Sequence, residues 1–251
     1  MSLLLHTSSL LNNVKGVVHA FTTREGGISS GPYASLNLSQ NTPDDRAHIA
    51  SNRQTVLSAL GRPDAAWISA HQVHGQTVVQ VTANAGRSLE ADGLWTDDPD
   101  CVVAVLVADC VPILMADRDG RALAAVHAGW RGTRDRVAKI MVERLAQAGF
   151  PPDHLRVAIG PAIGPCCFSI GEDVAEELAA VAPDEDLVRP AEDGRLRADL
   201  WGLNRRIIQA AGVPAEWIEE LRVCTACSSE FFSHRADGGT TGRQAAVIGL
   251  A

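Results

Sequence analysis

The chain has 251 residues, of which 46% are hydrophobic and 21% charged, a balance that suits a soluble globular enzyme and excludes disordered and fibrous classes. Its net charge of -8 argues against a nucleic-acid surface, because neutralising phosphates needs a basic patch that this sequence does not supply. No apolar run is long enough for a membrane span, and Met1–Asn13 lacks the basic start and small-residue cleavage site of a signal peptide, so a cytoplasmic protein is expected. In that setting the six cysteines are thiols, ligands or nucleophiles rather than a disulfide framework.

In chain order, the pattern predicts a strand over Val17–Thr22, a helix over Asp44–Leu60, and strands over Thr77–Thr82, Val102–Val107 and Ile113–Ala116. A hairpin turn at "DRDG" leads into a strand over Ala122–His127. A helix over Thr133–Ala148 follows, with Thr133 as its N-cap and Gly149 as its stop. Beyond it come a strand over Leu155–Ile159, a helix over Glu172–Val181, a charged loop over Pro183–Arg195 and a helix over Leu200–Ala211. Strands over Leu221–Val223 and Gln244–Ile248 complete the prediction. No linker or repeat divides the chain, so residues 1–251 are expected to form one domain. Strands come both as hairpins and between helices, which predicts an α+β fold with mixed sheets covered by helices.

If the two strands flanking "DRDG" pair, Cys110 lies beside His127. A buried cysteine next to a histidine satisfied by backbone groups would explain that pair structurally. The surroundings point to a ligand site instead. "ADC" places Asp109 before the thiol, and "HAGWRG" follows the imidazole with glycines and Arg131, a forked donor for phosphate or carboxylate. A third ligand is available in "HQVHG", which offers His71 and His74. A His–Cys–His set leaves one tetrahedral position of Zn²⁺ open, as catalytic zinc sites do.

The motifs "FTTREGGISSGPYASLNL", "HQVHG", "VADCVPIL", "VHAGWRG", "AIGPAIGPCCF" and "FFSHRADGGTTGRQAAVIGL" span Phe21 to Leu250. In them the chain resembles the YfiH-type laccase-domain family, proteins once called polyphenol oxidases and now regarded as multifunctional purine nucleoside enzymes. The resemblance implies metal ligation by His74, Cys110 and His127, with His71 outside the set. It also implies a single-domain α/β/β/α layered sandwich. The implied activities are phosphorolysis of adenosine, inosine, guanosine and methylthioadenosine, with deamination of adenosine. Zn²⁺ is the expected cofactor, with copper as a substitute, and the expected partners are purine nucleosides and phosphate. On the same footing Arg24 and Asn37 are candidate substrate contacts.

Arg131 or Arg24 is the candidate phosphate clamp, and Cys110, His127 and Asp109 are the candidate catalytic groups, Asp109 orienting a ligand or relaying a proton. Cys166 and Cys167 form either a pocket wall or a tight turn. Cys224 and Cys227 have the spacing of a redox or zinc half-site, but without a second CxxC they are expected to be structural thiols. His234, Arg235 and Arg243 are either pocket residues or locks for the last strand. Three other chemistries share these residues or this family. A multicopper laccase would need several His-x-His pairs, and the sequence has none. A metal-free hydrolase could use Cys110 as nucleophile and His127 as base. Editing of peptidoglycan precursors is the third.

Overall fold

Short strands that are apolar at every position have two faces to cover, and two sheets packed face to face beneath outer helices cover both. The computed structural model describes residues 3–86, 89–183 and 186–251. Its first part contains β1 (Leu5–His6), α1 (Ser9–Asn12), β2 (Val17–Thr22), α2 (Arg46–Ala59), β3 (Ala66–Ile68), β4 (Val78–Gln80), β5 (Gly93–Thr96), β6 (Cys101–Val107), β7 (Val111–Asp117) and β8 (Leu123–Ala128). Then follow α3 (Trp130–Arg134), α4 (Val137–Gln147), β9 (Leu155–Ile159), β10 (Ser169–Ile170), α5 (Glu172–Ala179), β11 (Val188–Pro190), β12 (Leu196–Ala198), α6 (Leu200–Ala210), β13 (Ile218–Glu220) and β14 (Gln244–Leu250).

One sheet has the order β1-β2-β14-β6-β3 and the other β13-β9-β7-β8-β5-β4, with a small third sheet β10-β12-β11. Both large sheets are mixed, since β3 runs parallel to β6, β4 to β5 and β13 to β9 while their other pairs are antiparallel. Side-chain alternation sorts the core into three layers. Leu114, Ala116, Leu123 and Ala125 of the second sheet meet Phe21, Val103, Val105, Ala246 and Ile248 of the first between the sheets. The alternate residues Ile113, Met115, Ala124 and Val126 face Met141, Val142 and Leu145 of α4 and Ile207 of α6. On the far side, Ala20, Val102, Ala104 and Val247 pack on Val56 and Leu57 of α2. This is the expected α+β, α/β/β/α sandwich, and burying each large aliphatic side chain in it stabilises the fold by roughly 1.5–3 kcal/mol. No helix among the described residues is long and apolar enough to cross a membrane.

The "DRDG" turn closes as expected. Buried Asp117 accepts two bonds from the Arg121 guanidinium, at 2.9 and 3.1 Å, and Gly120 takes the left-handed conformation at φ +71°. The register this sets pairs Pro112 with His127 and Val111 with Ala128, so Cys110 stands beside His127 at the end of the hairpin.

Several expectations need correction. The helix expected over Thr133–Ala148 is two helices, because Arg136 turns left-handed at φ +58° between them. Thr133 lies inside α3 as a buried partner of Asn204, its Oγ1 accepting from Nδ2 at 2.9 Å, and caps nothing. Gly149, at φ +94°, does stop α4. The strand expected over Leu221–Val223 forms earlier, as β13, where Ile218 registers with Val157 of β9. Of the charged loop expected over Pro183–Arg195, Asp184 and Glu185 lie outside the described residues, and Val188–Pro190 pairs with Leu196–Ala198 as a hairpin.

Candidate metal centre and its cavity

His127 ends the inter-sheet face of β8 and is 3% exposed. Its Nδ1 lies 2.8 Å from Oδ1 of Asp92, a fully buried carboxylate beside β5. His74 sits in the loop before β4 with a left-handed backbone, φ +60°, a conformation that costs a non-glycine residue roughly 1–2 kcal/mol. Asp92 offsets that cost, because its two oxygens accept from the backbone N–H groups of Val73 (3.3 Å), His74 (3.0 Å) and Gly75 (2.7 Å). One carboxylate therefore places both histidines. Their rings meet edge to face with centroids 4.9 Å apart.

Cys110 completes the group, and one donor atom from each of the three residues lies within 4.8 Å of the others. Nδ1 of His127 is occupied by Asp92, which leaves Nε2 for the centre, the orientation that metal-ligating histidines adopt. Gly129 supplies the room: a Cβ there would stand 3.0 Å from Sγ of Cys110 and 3.1 Å from Cδ2 of His74. Two imidazoles and a thiol around a cradle that a methyl group would fill suit Zn²⁺ with one position open.

The electrostatics favour a thiolate. Burial pushes the Cys110 thiol up, but the charge and hydrogen bond of His127, together with His74, outweigh it and bring the thiol down to about 6. Burial likewise pushes His127 down, and the Cys110 charge and the Asp92 hydrogen bond carry it up to about 9. Burial also opposes ionisation of Asp92, whose carboxyl is nonetheless held below its usual range by His127 and the loop N–H groups. The pair titrates as a unit, with the proton on imidazole and the negative charge on sulfur.

These residues form part of the lining of a cavity of about 490 Å³, within the range that small-molecule sites occupy. Its lining includes the apolar side chains of Ile163 and Phe168 and the polar residues His71, Asn41, Arg235 and Arg243, with the Arg235 guanidinium donating to the Cys167 carbonyl at 3.0 Å and to the Ser169 Oγ and carbonyl at 3.1 and 3.3 Å. Asp109 lies at its base with φ +84°, and both carboxylate oxygens are engaged: Oδ1 accepts from Thr225 Oγ1 at 2.6 Å and Oδ2 from the Arg235 backbone at 2.7 Å. Arg243 donates through Nη1 to the carbonyls of Thr241 and Gly242, at 2.9 and 2.8 Å.

A family model described as multi-copper polyphenol oxidoreductase laccase matches residues 18–251. The chain belongs to that family. Among relatives of this laccase-like family, a purine nucleoside phosphorylase of Deinococcus radiodurans is 41% identical over 93% of this chain and 89% of its own length. Purine nucleoside phosphorylase YfiH of Escherichia coli is 37% identical over 94% and 95%. The crystal structure of YlmD from Geobacillus stearothermophilus superposes with a TM-score of 0.90 at 36% identity, covering 100% of this chain and 96% of that one. The resemblance to the YfiH-type family and its fold is thus borne out.

Within this laccase-like fold, the three expected substrate contacts fall outside the cavity. Asn37 is fully buried, with Nδ2 donating to Thr42 and Asp44 and Oδ1 accepting from the backbones of Ser39 and Arg243, so it braces two cavity residues from behind. Arg24 donates to the Ala34 carbonyl at 3.0 Å and lies over the Phe232 ring. Arg131 is exposed on α3, stacked over Trp130. His71 lines the cavity with Nδ1 3.3 Å from Asn41 Nδ2, apart from the His74–Cys110–His127 group. Sequence reasoning missed Asp92, whose only signal is a carboxylate before a glycine in "ADGLWT". It also missed Gln72, which fixes the loop by exchanging two 2.8 Å bonds with the Leu106 backbone.

Proposed function

We propose that this laccase-like chain is a zinc-dependent purine nucleoside phosphorylase, one domain working in the cytoplasm, that converts adenosine, inosine, guanosine and methylthioadenosine to base and ribose 1-phosphate and also deaminates adenosine. The observation that carries the reading is an open His74–Cys110–His127 set lining a cavity that also holds two guanidinium groups, in a chain whose relatives bear the phosphorylase name.

In phosphorolysis a phosphate oxygen bonds to C1′ while the bond from C1′ to the purine nitrogen breaks, and the departing base takes the electron pair and then a proton. On this reading phosphate falls to Arg243 and Arg235, cavity-lining residues whose guanidinium forks match its oxygens, with Arg235 using the N–H groups that it does not donate to Cys167 and Ser169. Phe168 and Ile163 offer the flat apolar wall against which a purine stacks. The proton donor must face the cavity, and His71 and His234 in its lining are the candidates. His74, Cys110 and His127 would hold the metal, which would supply Lewis acidity and an open coordination position, the resource that deamination at C6 would also use. Copper in the same position is a substitute. Asp109 acts through others: its two acceptor bonds position Cys110 next to it in the chain and the Arg235 backbone opposite.

The test is to incubate the protein with adenosine, inosine and methylthioadenosine, with and without phosphate, and follow free base, ribose 1-phosphate and inosine by chromatography. Phosphate-dependent base release is expected. Unconsumed nucleosides with cleavage of a muropeptide precursor would establish the editing alternative instead. The thiolate–imidazolium pair also suits a Cys110–His127 hydrolase, which has no use for His74. Full activity in metal-free His74→Ala protein would favour that second chemistry.

A further inference from the structure

The remaining cysteines outside the core form a second group. Cys166 and Cys167 lie in the loop after β9, and Cys224 and Cys227 in the loop after β13; all four sulfurs lie within 4.8 Å of one another. The chain drives them together through its backbone. The Ala162 and Thr225 N–H groups bridge the two loops, bonding to Val223 and Ala162 carbonyls at 3.2 and 3.0 Å. Cys227 and Ser228 N–H groups turn back onto the Cys224 carbonyl, and Cys167 and Phe168 N–H groups onto that of Gly164, so each loop coils around its own sulfurs. The Gly164 N–H points at Cys224 Sγ, 3.2 Å away, a donor aimed at sulfur as thiolate ligands are served. Sγ of Cys227 lies 3.6 Å from that of Cys166 and 3.3 Å from that of Cys167.

Four sulfurs on a common centre with bonds near 2.3 Å stand about 3.8 Å apart, close to the spacing found here. Unlike the cavity site, this group leaves no position for substrate. All four are free thiols, so nothing covalent holds the cluster, and a divalent cation bound between them would offset the mutual repulsion of the sulfurs as they ionise to ligate it. Soft sulfur donors in a tetrahedral set select zinc over magnesium or calcium.

We propose that Cys166, Cys167, Cys224 and Cys227 bind a second, structural Zn²⁺ as a closed tetrathiolate. It clips the loop carrying Ile163 and Phe168 to the loop carrying Thr225 and Arg235, and thereby sets the wall of the cavity and the two bonds that hold Asp109. The site does not depend on the proposed activity.

The experiment uses the full chain with His74→Ala and Cys110→Ser, which dismantles the three-ligand set. Elemental analysis is expected to find about one zinc per chain in that protein, and cobalt substitution is expected to give the intense sulfur-to-metal charge-transfer and tetrahedral ligand-field bands of four thiolates. Adding Cys227→Ser should remove most of that zinc. Should this variant fail to fold, Cys227→His keeps a fourth ligand and is expected to retain the metal with a blue-shifted cobalt spectrum. A metal-free double variant, a cobalt spectrum without thiolate bands, or a disulfide between any of the four cysteines in protein purified without oxidant would overturn the assignment.

Discussion

The molecule gathers cysteine and histidine at two places, and they are built oppositely. The His74–Cys110–His127 group stands on the ends of two sheet strands and one loop, with its supporting carboxylate fully buried, and opens into a cavity. The Cys166–Cys167–Cys224–Cys227 group sits on two loops near the surface, with Cys166 and Cys227 exposed and all four sulfurs within 4.8 Å of one another. A site meant to leave a coordination position free needs a rigid frame to keep its ligands from closing on the metal. A closed site needs no such frame, and on loops that are already bridged by backbone bonds it would add a second tie.

The strongest way to break this comparison is to remove a ligand from the open site. His74→Ala or Cys110→Ser is expected to abolish most bound metal there and reduce nucleoside turnover by more than about a hundredfold, beyond what loss of a supporting residue costs. Metal content and turnover falling in parallel, with unchanged circular dichroism, is the expected result; retained turnover would point to thiol chemistry. Next in size is the frame. Asp92→Asn keeps the shape but removes the charge that holds His127 and the 73–75 loop, and about a 10–100-fold loss in metal affinity or activity is expected, measured by metal titration and initial rates. An unchanged affinity would mean that strand ends alone fix the ligands.

The closed group should respond in stability. Cys224→Ser is expected to lower the melting temperature by about 5 °C or more, the effect of losing a few kcal/mol in a chain of this size, while leaving the metal of the open site in place. The smallest expected effect comes from His19, a buried imidazole with no metal role, whose Nε2 accepts the Ser8 N–H at 2.8 Å. Burial, only partly countered by Glu219, carries His19 down to about 4. The unfolded chain binds a proton near 6.5 and the folded chain does not, so stability falls as pH drops below 6.5 and stops falling near 4. Between pH 7 and 5.5 roughly 1 kcal/mol should be lost in denaturant titrations, and His19→Gln should lose that much less.

The pairing of Cys110 with His127 was legible because a recognisable turn sets the register, and a register fixes neighbours along the whole hairpin. The largely apolar strands β6 to β9 were legible for the same physical reason that makes them core: both faces are covered. Asp92 was not, because its role rests on tertiary hydrogen bonds that no local spacing encodes. Nor was the fourfold thiol group, since Cys224 and Cys227 lack a second CxxC and so read as structural thiols, whereas in the fold the vicinal Cys166–Cys167 pair stands beside them. Arg24 and Arg131 lie outside the cavity lining, bonded to a carbonyl and stacked on an aromatic ring respectively, because a forked donor in a glycine-rich stretch is as well served by those as by a ligand. The break at Arg136 and strands of two to four residues such as β1, β3, β10 and β12 carry too little periodic signal to be seen.

The position of β14 between β2 and β6 sets an order of events during synthesis. Both neighbours emerge from the ribosome long before Gln244–Leu250 is made; at about 5–20 residues per second, β2 waits on the order of ten seconds or more with an unpaired edge. His74, Cys110 and His127 have all been translated by then, whereas His234, Arg235 and Arg243 arrive only just ahead of the closing strand. A nascent chain can thus carry the His74–Cys110–His127 group before the rest of the cavity lining exists, and the insertion of one late strand completes both the sheet and that lining.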